Sequence, residues 1–338
     1  MKCLFVIVPL VLLFYISDLQ NSLVTLYHIV NNTEVLSTTE RGTTFNVRNI
    51  FPLIKTTSKD FIQKGREYYR HPKINCVNNN INILSIVKSS AKNERLRLAI
   101  RNTWGKHSSN VSNRLVFSLG RTNDTAVQQR IEKEAEMYKD ILQSNFIDNY
   151  LNLTIKTERG IHWVSQYCAG ARFVLFVDDD VIVNFKVLEK FLFSLPSAET
   201  QNLFTGYVSA HSRPYRDGSK FGISVKEYPL TFYPPYVSGP VVLTTGKVMQ
   251  MFDKEIPKMK RFVFEDVFLG MVAEKLHIKL SQKYNGLFDH MGWNVKNLPC
   301  FLTSHQAYTK ITGEIYEQMY NMHANGVCKQ AKPFLPKL

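Results

Sequence analysis

The stretch Arg172-Phe-Val-Leu-Phe-Val-Asp178-Asp179-Asp180-Val-Ile-Val-Asn184 decides how the chain is read. A short apolar run bounded by polar residues is the pattern of a buried strand. Three carboxylates follow where that strand meets solvent. In open α/β sheets, ligands bind beyond the carboxyl ends of the strands. Side chains alternate along a strand, so Asp178 and Asp180 share one face and Asp179 takes the other. Grouped carboxylates repel unless a cation joins them, and hard oxygen ligands suit Mg²⁺, Ca²⁺ or Mn²⁺. Such acids also form solvated turns and helix caps, so the rest of the chain has to decide.

Upstream, Ile81–Val87 and Arg114–Gly120 read as strands. Lys92–Trp104 reads as a helix with Leu96, Ile100 and Trp104 on one stripe. Val127–Tyr138 and Lys156–Cys168 read as further helices, and Phe185–Leu195 follows the acidic strand as another. Leu203–Val208 and Val241–Thr244 add strands, and Glu265–Leu276 a helix. Strands alternating with helices of this length predict an α/β doubly wound sheet.

The 338 residues are 44% hydrophobic, enough for a real core, and carry a formal net charge of +14. A basic chain suits anionic partners. No Lys/Arg run exceeds two residues, however, and no zinc-finger or RNP-like motif occurs, so nucleic acid is not expected as a partner. At the N-terminus, residues 4–16 are almost wholly apolar, and apolar character continues to Val30 without a small-x-small cleavage site. This reads as an uncleaved signal anchor, with a cleaved secretory signal as the alternative. The expected division is a cytoplasmic tail at 1–3, an anchor region at 4–30, a lumenal stem at 31–75 and a folded domain at 76–338. Within the stem, Phe61, Tyr68 and Tyr69 hint at a short helix. Sequons at Asn31, Asn110, Asn123 and Asn152 fit a secretory route. Outside the apolar segment, Cys76, Cys168, Cys300 and Cys328 allow three disulfide pairings, among which sequence does not choose.

Further motifs lie in register with the acidic strand. They are Ala99-Ile-Arg-Asn-Thr-Trp104, Glu134 to Asp148, Asn152-Leu-Thr-Ile-Lys-Thr157 and Gly160-Ile-His-Trp-Val164 before it, and Tyr233-Pro-Pro-Tyr-Val-Ser-Gly239 and Phe264-Glu-Asp-Val-Phe-Leu-Gly270 after it. In this order and spacing they resemble the β-1,3-galactosyltransferase family, glycosyltransferase family 31, which includes β-1,3-N-acetylglucosaminyltransferases. The resemblance covers about residues 76–310.

It implies a type II Golgi membrane protein with a Rossmann-like GT-A domain. It also implies a UDP-sugar donor, a divalent cation such as Mn²⁺, a glycan acceptor on protein or lipid, and inversion to a β-1,3 linkage. Galactose is the donor sugar expected first, with N-acetylglucosamine, N-acetylgalactosamine and a catalytically inactive binding module as alternatives.

Carried onto this sequence, the family pattern makes Asp180, with Asp178, a metal contact and brings in His305, five residues after Cys300. Asp178 and Asp179 fall to the nucleotide-sugar, together with Arg97 and Arg101, whose planar forks suit a diphosphate. Asp266 is the expected base, with Glu265 as a second catalytic residue that orients the acceptor. Acidic residues there also complement a helix dipole. Tyr233, Tyr236, Ser238 and Gly239 line the sugar or acceptor, and Asn152 is the sequon expected to be occupied. The chain departs from the family pattern at Phe176, Phe221, Val237, Pro240 and Met271, which leaves donor and acceptor identity open.

Overall fold

The computed structural model describes residues 68–74, 76, 81–109, 112–289, 301–305 and 313–325. In chain order the strands are β1 (Tyr68–Arg70), β2 (Ile83–Lys88), β3 (Asn113–Arg121), β4 (Ile141–Ile147), β5 (Phe173–Asp178), β6 (Val181–Val183), β7 (Phe204–Thr205), β8 (Val208–Ser209), β9 (Tyr236–Val237), β10 (Val241–Thr244), β11 (Phe288–Asp289) and β12 (Thr303–His305). The helices are α1 (Glu94–Asn102), α2 (Thr125–Tyr138), α3 (Leu153–Tyr167), α4 (Phe185–Ser194), α5 (Ser197–Thr200), α6 (Gly246–Glu255), α7 (Glu265–Lys275) and α8 (Gly313–Asn325).

The main sheet has the order β1-β4-β3-β2-β5-β10-β7. Its centre, β4-β3-β2-β5, is parallel. The chain leaves β2 towards β3 and β4, then returns to place β5 on the other side of β2. The boundary between β2 and β5 is therefore a topological switch point, where such sheets open a crevice.

Alternation divides the core in two. Leu84, Ile86, Val174 and Phe176 pack with Ile161, Val164, Val248, Phe252 and Val267 from α3, α6 and α7. Ile83, Val87, Leu175 and Val177 pack with Ile100, Val127, Ile131, Leu188, Phe191 and Tyr316 from α1, α2, α4 and α8. Burying both faces explains why β2 and β5 are mainly apolar, Ser85 aside, until they end at Lys88 and Asp178. Asn184, the last residue of the deciding stretch, caps α4 by accepting a hydrogen bond from the Val187 amide at 3.3 Å. Trp104 is fully buried and donates through Nε1 to Tyr316 Oη, which in turn donates to the Val181 carbonyl beneath the acidic turn.

Several expectations need correction. The doubly wound sheet carries an antiparallel strand that the sequence reading did not specify, since β10 runs antiparallel to β5 and β7. The chain enters β10 from the carboxyl end of β5, where the Asp178 amide donates to the Pro240 carbonyl at 2.9 Å, and so it must run back. The single strand expected over Leu203–Val208 is two strands in different sheets, β7 beside β10 and β8 beside β9. Strand β4 carries the buried polar residues Gln143 and Ser144, which hid it from a hydrophobic reading.

Tyr68 and Tyr69 are not helical. They form β1, paired antiparallel with β4, and Tyr68 Oη donates to the Arg159 carbonyl at 2.9 Å. A disulfide joins Cys76 to Cys168, just past the end of α3. Cys300 and Cys328, the expected tail and anchor region, and most of the expected stem lie outside the described residues. No described helix is long and apolar enough to cross a membrane.

Helix α3 lies so close to the sheet that a Cβ on Gly160 would stand 2.8 Å from the Phe176 ring. Overpacking of this kind costs about 1–3 kcal/mol. Gly160→Val should lower thermal stability by that amount in a circular-dichroism melt. An unchanged midpoint would show that the Phe176 ring yields freely.

Candidate active site

Strands β2 and β5 end side by side, with Lys88 and Asp178 as register partners. Both belong to the alternating set that faces α3 and α7. The Lys88 ammonium is buried and lies 3.0 Å from Asp178 Oδ1 and 3.0 Å from Glu265 Oε1. It also donates to the Gly239 carbonyl at 2.9 Å. Burial is the main influence on the Asp178 carboxyl. Lys88 opposes it, Asp180 and Glu265 reinforce it, and the pKa is pushed up to about 7.

Asp179 points the other way, as the alternation requires. Its Oδ2 accepts from Ser89 Oγ at 2.6 Å, Asn93 Nδ2 at 2.9 Å and the Ser90 amide at 3.4 Å. Two buried cations hold the same Ser89–Ser90 turn. Lys156 donates to the Ser89 carbonyl at 2.6 Å and pairs with Asp148 at 2.8 Å. Arg97 donates to the Ser90 carbonyl at 2.7 Å and to Ser89 Oγ at 3.2 Å. Asp179 thus fastens the β2–α1 turn with that oxygen instead of offering it to a nucleotide.

The arginines expected at the diphosphate are also directed inward. Arg97 is fully buried and forms a two-pronged pair with Glu134, through Nε at 2.9 Å and one terminal nitrogen at 2.6 Å. Arg101 bonds Glu134 at 2.8 Å and both oxygens of Asp140 at 2.8 Å, with its guanidinium 3.9 Å from the Tyr138 ring centre. The physical reason is position: α1 turns these residues towards α2 and the buried end of β4. Arg97 holds the turn beside the switch point, and Arg101 braces its partner Glu134.

Asp180 stands in the turn between β5 and β6. Strand β12 pairs antiparallel with β6 and sets His305 opposite Val181. His305 Nε2 consequently lies 3.6 Å from Asp180 Oδ1. That oxygen is buried and accepts no hydrogen bond. Among the described residues, no three His, Cys, Asp or Glu side chains are gathered as a ready-made metal cage. The expected set of Asp178, Asp180 and His305 is therefore not preassembled, because Asp178 is drawn to Lys88. A carboxylate oxygen without a hydrogen bond, facing an imidazole, still fits a cation that arrives with a diphosphate and keeps only one or two protein ligands.

Helix α7 supplies the other wall. Val267 through Ala273 are all buried, as expected for a helix apolar on every side. Only its first turn reaches the crevice. Glu265 is buried there and accepts from Lys88 and from Thr157 Oγ1, the latter at 2.5 Å. Asp266 is partly open. Its Oδ1 accepts from the Val267 amide at 2.8 Å, and the Gly239 backbone supplies a further hydrogen bond. Burial and the neighbouring Glu265 charge raise its pKa to about 6. A carboxylate tuned this way is a serviceable base near neutral pH.

The Tyr-Pro-Pro-Tyr loop rests directly on α7. A Cβ on Gly270 would meet the Pro235 carbonyl and Tyr236 Cβ at 2.7 Å each, so only glycine allows this approach. Tyr233 is buried against Tyr228 and Phe262, and its hydroxyl has no hydrogen-bond partner. Tyr236 stands edge-on to Tyr233 at 6.3 Å. Ser238 is buried, and its amide donates to the Tyr207 carbonyl at 2.8 Å. Residues 210–235 join β8 to β9. Arg216 gathers this loop by donating to the carbonyls of Ile223, Tyr228 and Leu230.

Sequence reading missed Lys88, Lys156 and Thr157 in this site. A lysine directly ending a buried strand was the available signal, because the neighbouring strand ends in acid. Of the sequons, Asn123 is exposed before α2. Asn152 donates through Nδ2 to the Ile147 carbonyl at 2.8 Å, and its partner Thr154 is buried, donating to the Phe262 carbonyl at 3.0 Å. Asn31 and Asn110 lie outside the described residues.

Comparison with known proteins adds to this geometry. The chain is 34% identical over 229 residues to Beta-1,3-galactosyltransferase 5 of Homo sapiens, covering 66% of this chain and 72% of that protein. It is 36% identical over 211 residues to Beta-1,3-galactosyltransferase bre-5 of Caenorhabditis elegans, covering 61% and 65%. It is 32% identical over 247 residues to Lactosylceramide 1,3-N-acetyl-beta-D-glucosaminyltransferase A of Xenopus laevis, covering 68% and 64%. Residues 95–284 match the galactosyltransferase family, a span that holds Asp178–Asp180 and Glu265–Asp266 and leaves out Lys88 and His305. With more than half of its length in that match, the chain belongs to the galactosyltransferase family and is a hexosyltransferase.

Proposed function

We propose that this protein moves a hexose, galactose first, from a UDP-sugar to a hydroxyl of a glycan on protein or lipid, with inversion and a new β-1,3 linkage. The observation that carries the reading is one crevice with two kinds of carboxylate. Asp180, beside His305, has an oxygen without a hydrogen bond, and Asp266, on the facing helix, has a pKa raised to about 6.

In the proposed mechanism the GT-A domain binds the donor across the β2–β5 switch point. Asp266 takes the acceptor hydroxyl proton as the acceptor oxygen bonds to the anomeric carbon. The bond from that carbon to the diphosphate breaks on the opposite face, and its electron pair leaves with UDP. Asp180 and His305 would hold a divalent cation such as Mn²⁺, which when bound supplies charge to offset the departing diphosphate. Glu265 does not reach the acceptor in this scheme, because its oxygens are taken by Lys88 and Thr157. Tyr233, Tyr236, Ser238 and Gly239 form the wall on the sugar and acceptor side and exclude water. Arg97, Arg101 and Asp179 position the β2–α1 turn against the nucleotide.

A second reading, transfer of N-acetylglucosamine, is favoured by the similarity to the Xenopus relative. N-acetylgalactosamine is the remaining donor of this set. The disulfide, the sequons and the apolar N-terminal segment support a single-pass type II protein of the Golgi membrane with its folded domain in the lumen.

The test is UDP release by the full-length protein. UDP-galactose, UDP-N-acetylglucosamine and UDP-N-acetylgalactosamine are each offered with a glycan acceptor panel, with Mn²⁺ or with chelator. Mn²⁺-dependent turnover of UDP-galactose supports the first reading, and turnover of UDP-N-acetylglucosamine the second. No turnover and no UDP binding sinks both. Asp180→Ala should weaken Mn²⁺-dependent UDP binding by about 100-fold or more, since metal charge stabilisation is worth several kcal/mol. Unchanged binding by calorimetry would remove Asp180 from the metal site.

A further inference from the structure

Lys88 lies where three separate segments meet, and we propose that it is a positioning residue that ties the donor strand to the base. Its three ammonium protons have three protein partners. Asp178 is the last residue of β5, Glu265 the first of α7, and the Gly239 carbonyl belongs to the turn that leads into β10. Two of those partners determine where Asp266 sits. Glu265 is its covalent neighbour, and Gly239 provides the backbone hydrogen bond to its carboxylate. The third partner, Asp178, stands at the donor edge of the crevice. One buried ammonium therefore sets the distance between the strand that meets the nucleotide-sugar and the carboxylate that meets the acceptor.

No other described cation does this. Lys156 is occupied with Asp148 and the Ser89 carbonyl, and Arg97 and Arg101 with Glu134 and Asp140. Lys88 also offsets charge where Asp178, Glu265 and Asp266 crowd together. Its shape matters as much as its charge. A compact ammonium on a flexible stem can direct three protons outward from one point, whereas a guanidinium presents a flat fork.

The proposal rests on the transfer reading above. A displacement of about 1 Å at a reacting group can cost on the order of 100-fold in rate. The experiment measures donor KM, kcat and melting temperature for the full-length wild type, Lys88→Arg, Lys88→Met, Glu265→Gln and the Lys88→Met/Glu265→Gln pair. Lys88→Arg keeps the charge and should melt near the wild type, yet lose at least tenfold in kcat with donor KM within threefold. Lys88→Met should lose on the order of 100-fold in kcat. In the double variant the losses should not multiply, because both changes break the same link to Asp266.

A wild-type protein that turns over while Lys88→Arg stays within threefold of its kcat overturns the positioning role alone. Losses that multiply in the double variant overturn it too. A wild type that turns over none of the three donors and binds no UDP with Mn²⁺ overturns the transfer reading, and this inference with it. Should Lys88→Met fail to fold, the Lys88→Arg comparison decides by itself.

Discussion

Asp266→Asn should remove most sugar transfer while leaving UDP binding nearly intact. The amide matches the carboxylate in shape and still accepts from the Val267 amide, but it cannot take the acceptor proton. Proton transfer by a positioned base contributes about 10²–10⁴-fold, so kcat should fall by about a thousandfold with donor KM little changed. The wild-type pH profile carries the same signature. A base works only when deprotonated. With its pKa raised by burial and the Glu265 charge to about 6, activity should be full well above pH 6 and fall away as pH drops through that value. An unperturbed aspartate would keep the enzyme active to about pH 4. Retained transfer in Asp266→Asn would sink the choice of base.

Glu134→Ala should produce the largest loss of stability. It leaves Arg97, which has 0% side-chain exposure, without its carboxylate partner, and it takes from Arg101 one of two carboxylates, leaving Asp140. Removing one member of a buried pair costs about 3–5 kcal/mol, because an uncompensated charge stays in the interior. For a domain of this size that corresponds to a drop of about 10 °C in melting temperature. The control is Glu94→Ala. Its pair with Arg130, at 3.4 Å, is about half exposed on both sides and should be worth less than about 1 kcal/mol. Equal effects from the two substitutions would show that burial of the Arg97–Glu134 pair contributes nothing.

Much of the fold was readable because the elements that build it bury apolar residues in regular patterns. β2, β3, β5, α3 and α7 lie close to where periodicity places them. The acidic turn was readable because a hydrophobic strand stops abruptly at charge. What escaped shares one physical trait, namely polar residues satisfied by distant partners. β4 is a strand in spite of Gln143, whose Nε2 donates to the Gly120 carbonyl at 2.9 Å. β1 becomes a strand only because β4 offers it an edge. Arg97, Arg101 and Asp179 have the chemistry of ligand-binding groups, and sequence shows that chemistry but not direction. Their direction comes from the face of α1 and from strand alternation at the turn, which bring Ser89, Asn93 and Glu134 within reach. Lys88 escaped for the opposite reason: it sits in a strand that reads as purely structural.

The loop between β8 and β9 has a consequence for how such an enzyme can change. Arg216 fastens residues 223–230 to the loop itself, so its shape is set largely from within. Asp266, the proposed base, is by contrast carried by a helix embedded in the core and braced from β2 through Lys88. Under the proposed function, the part of the loop that Arg216 holds serves selectivity and α7 serves chemistry, and the two meet where Pro235 and Tyr236 rest on Gly270. On that reading, substitutions among residues 216–230, away from the Pro235–Tyr236 contact with α7, shift which sugar is accepted without disturbing proton transfer. A lineage built this way can diversify its products while its reaction stays fixed, and a loop exchanged as a unit between relatives is the natural route to a redesigned preference.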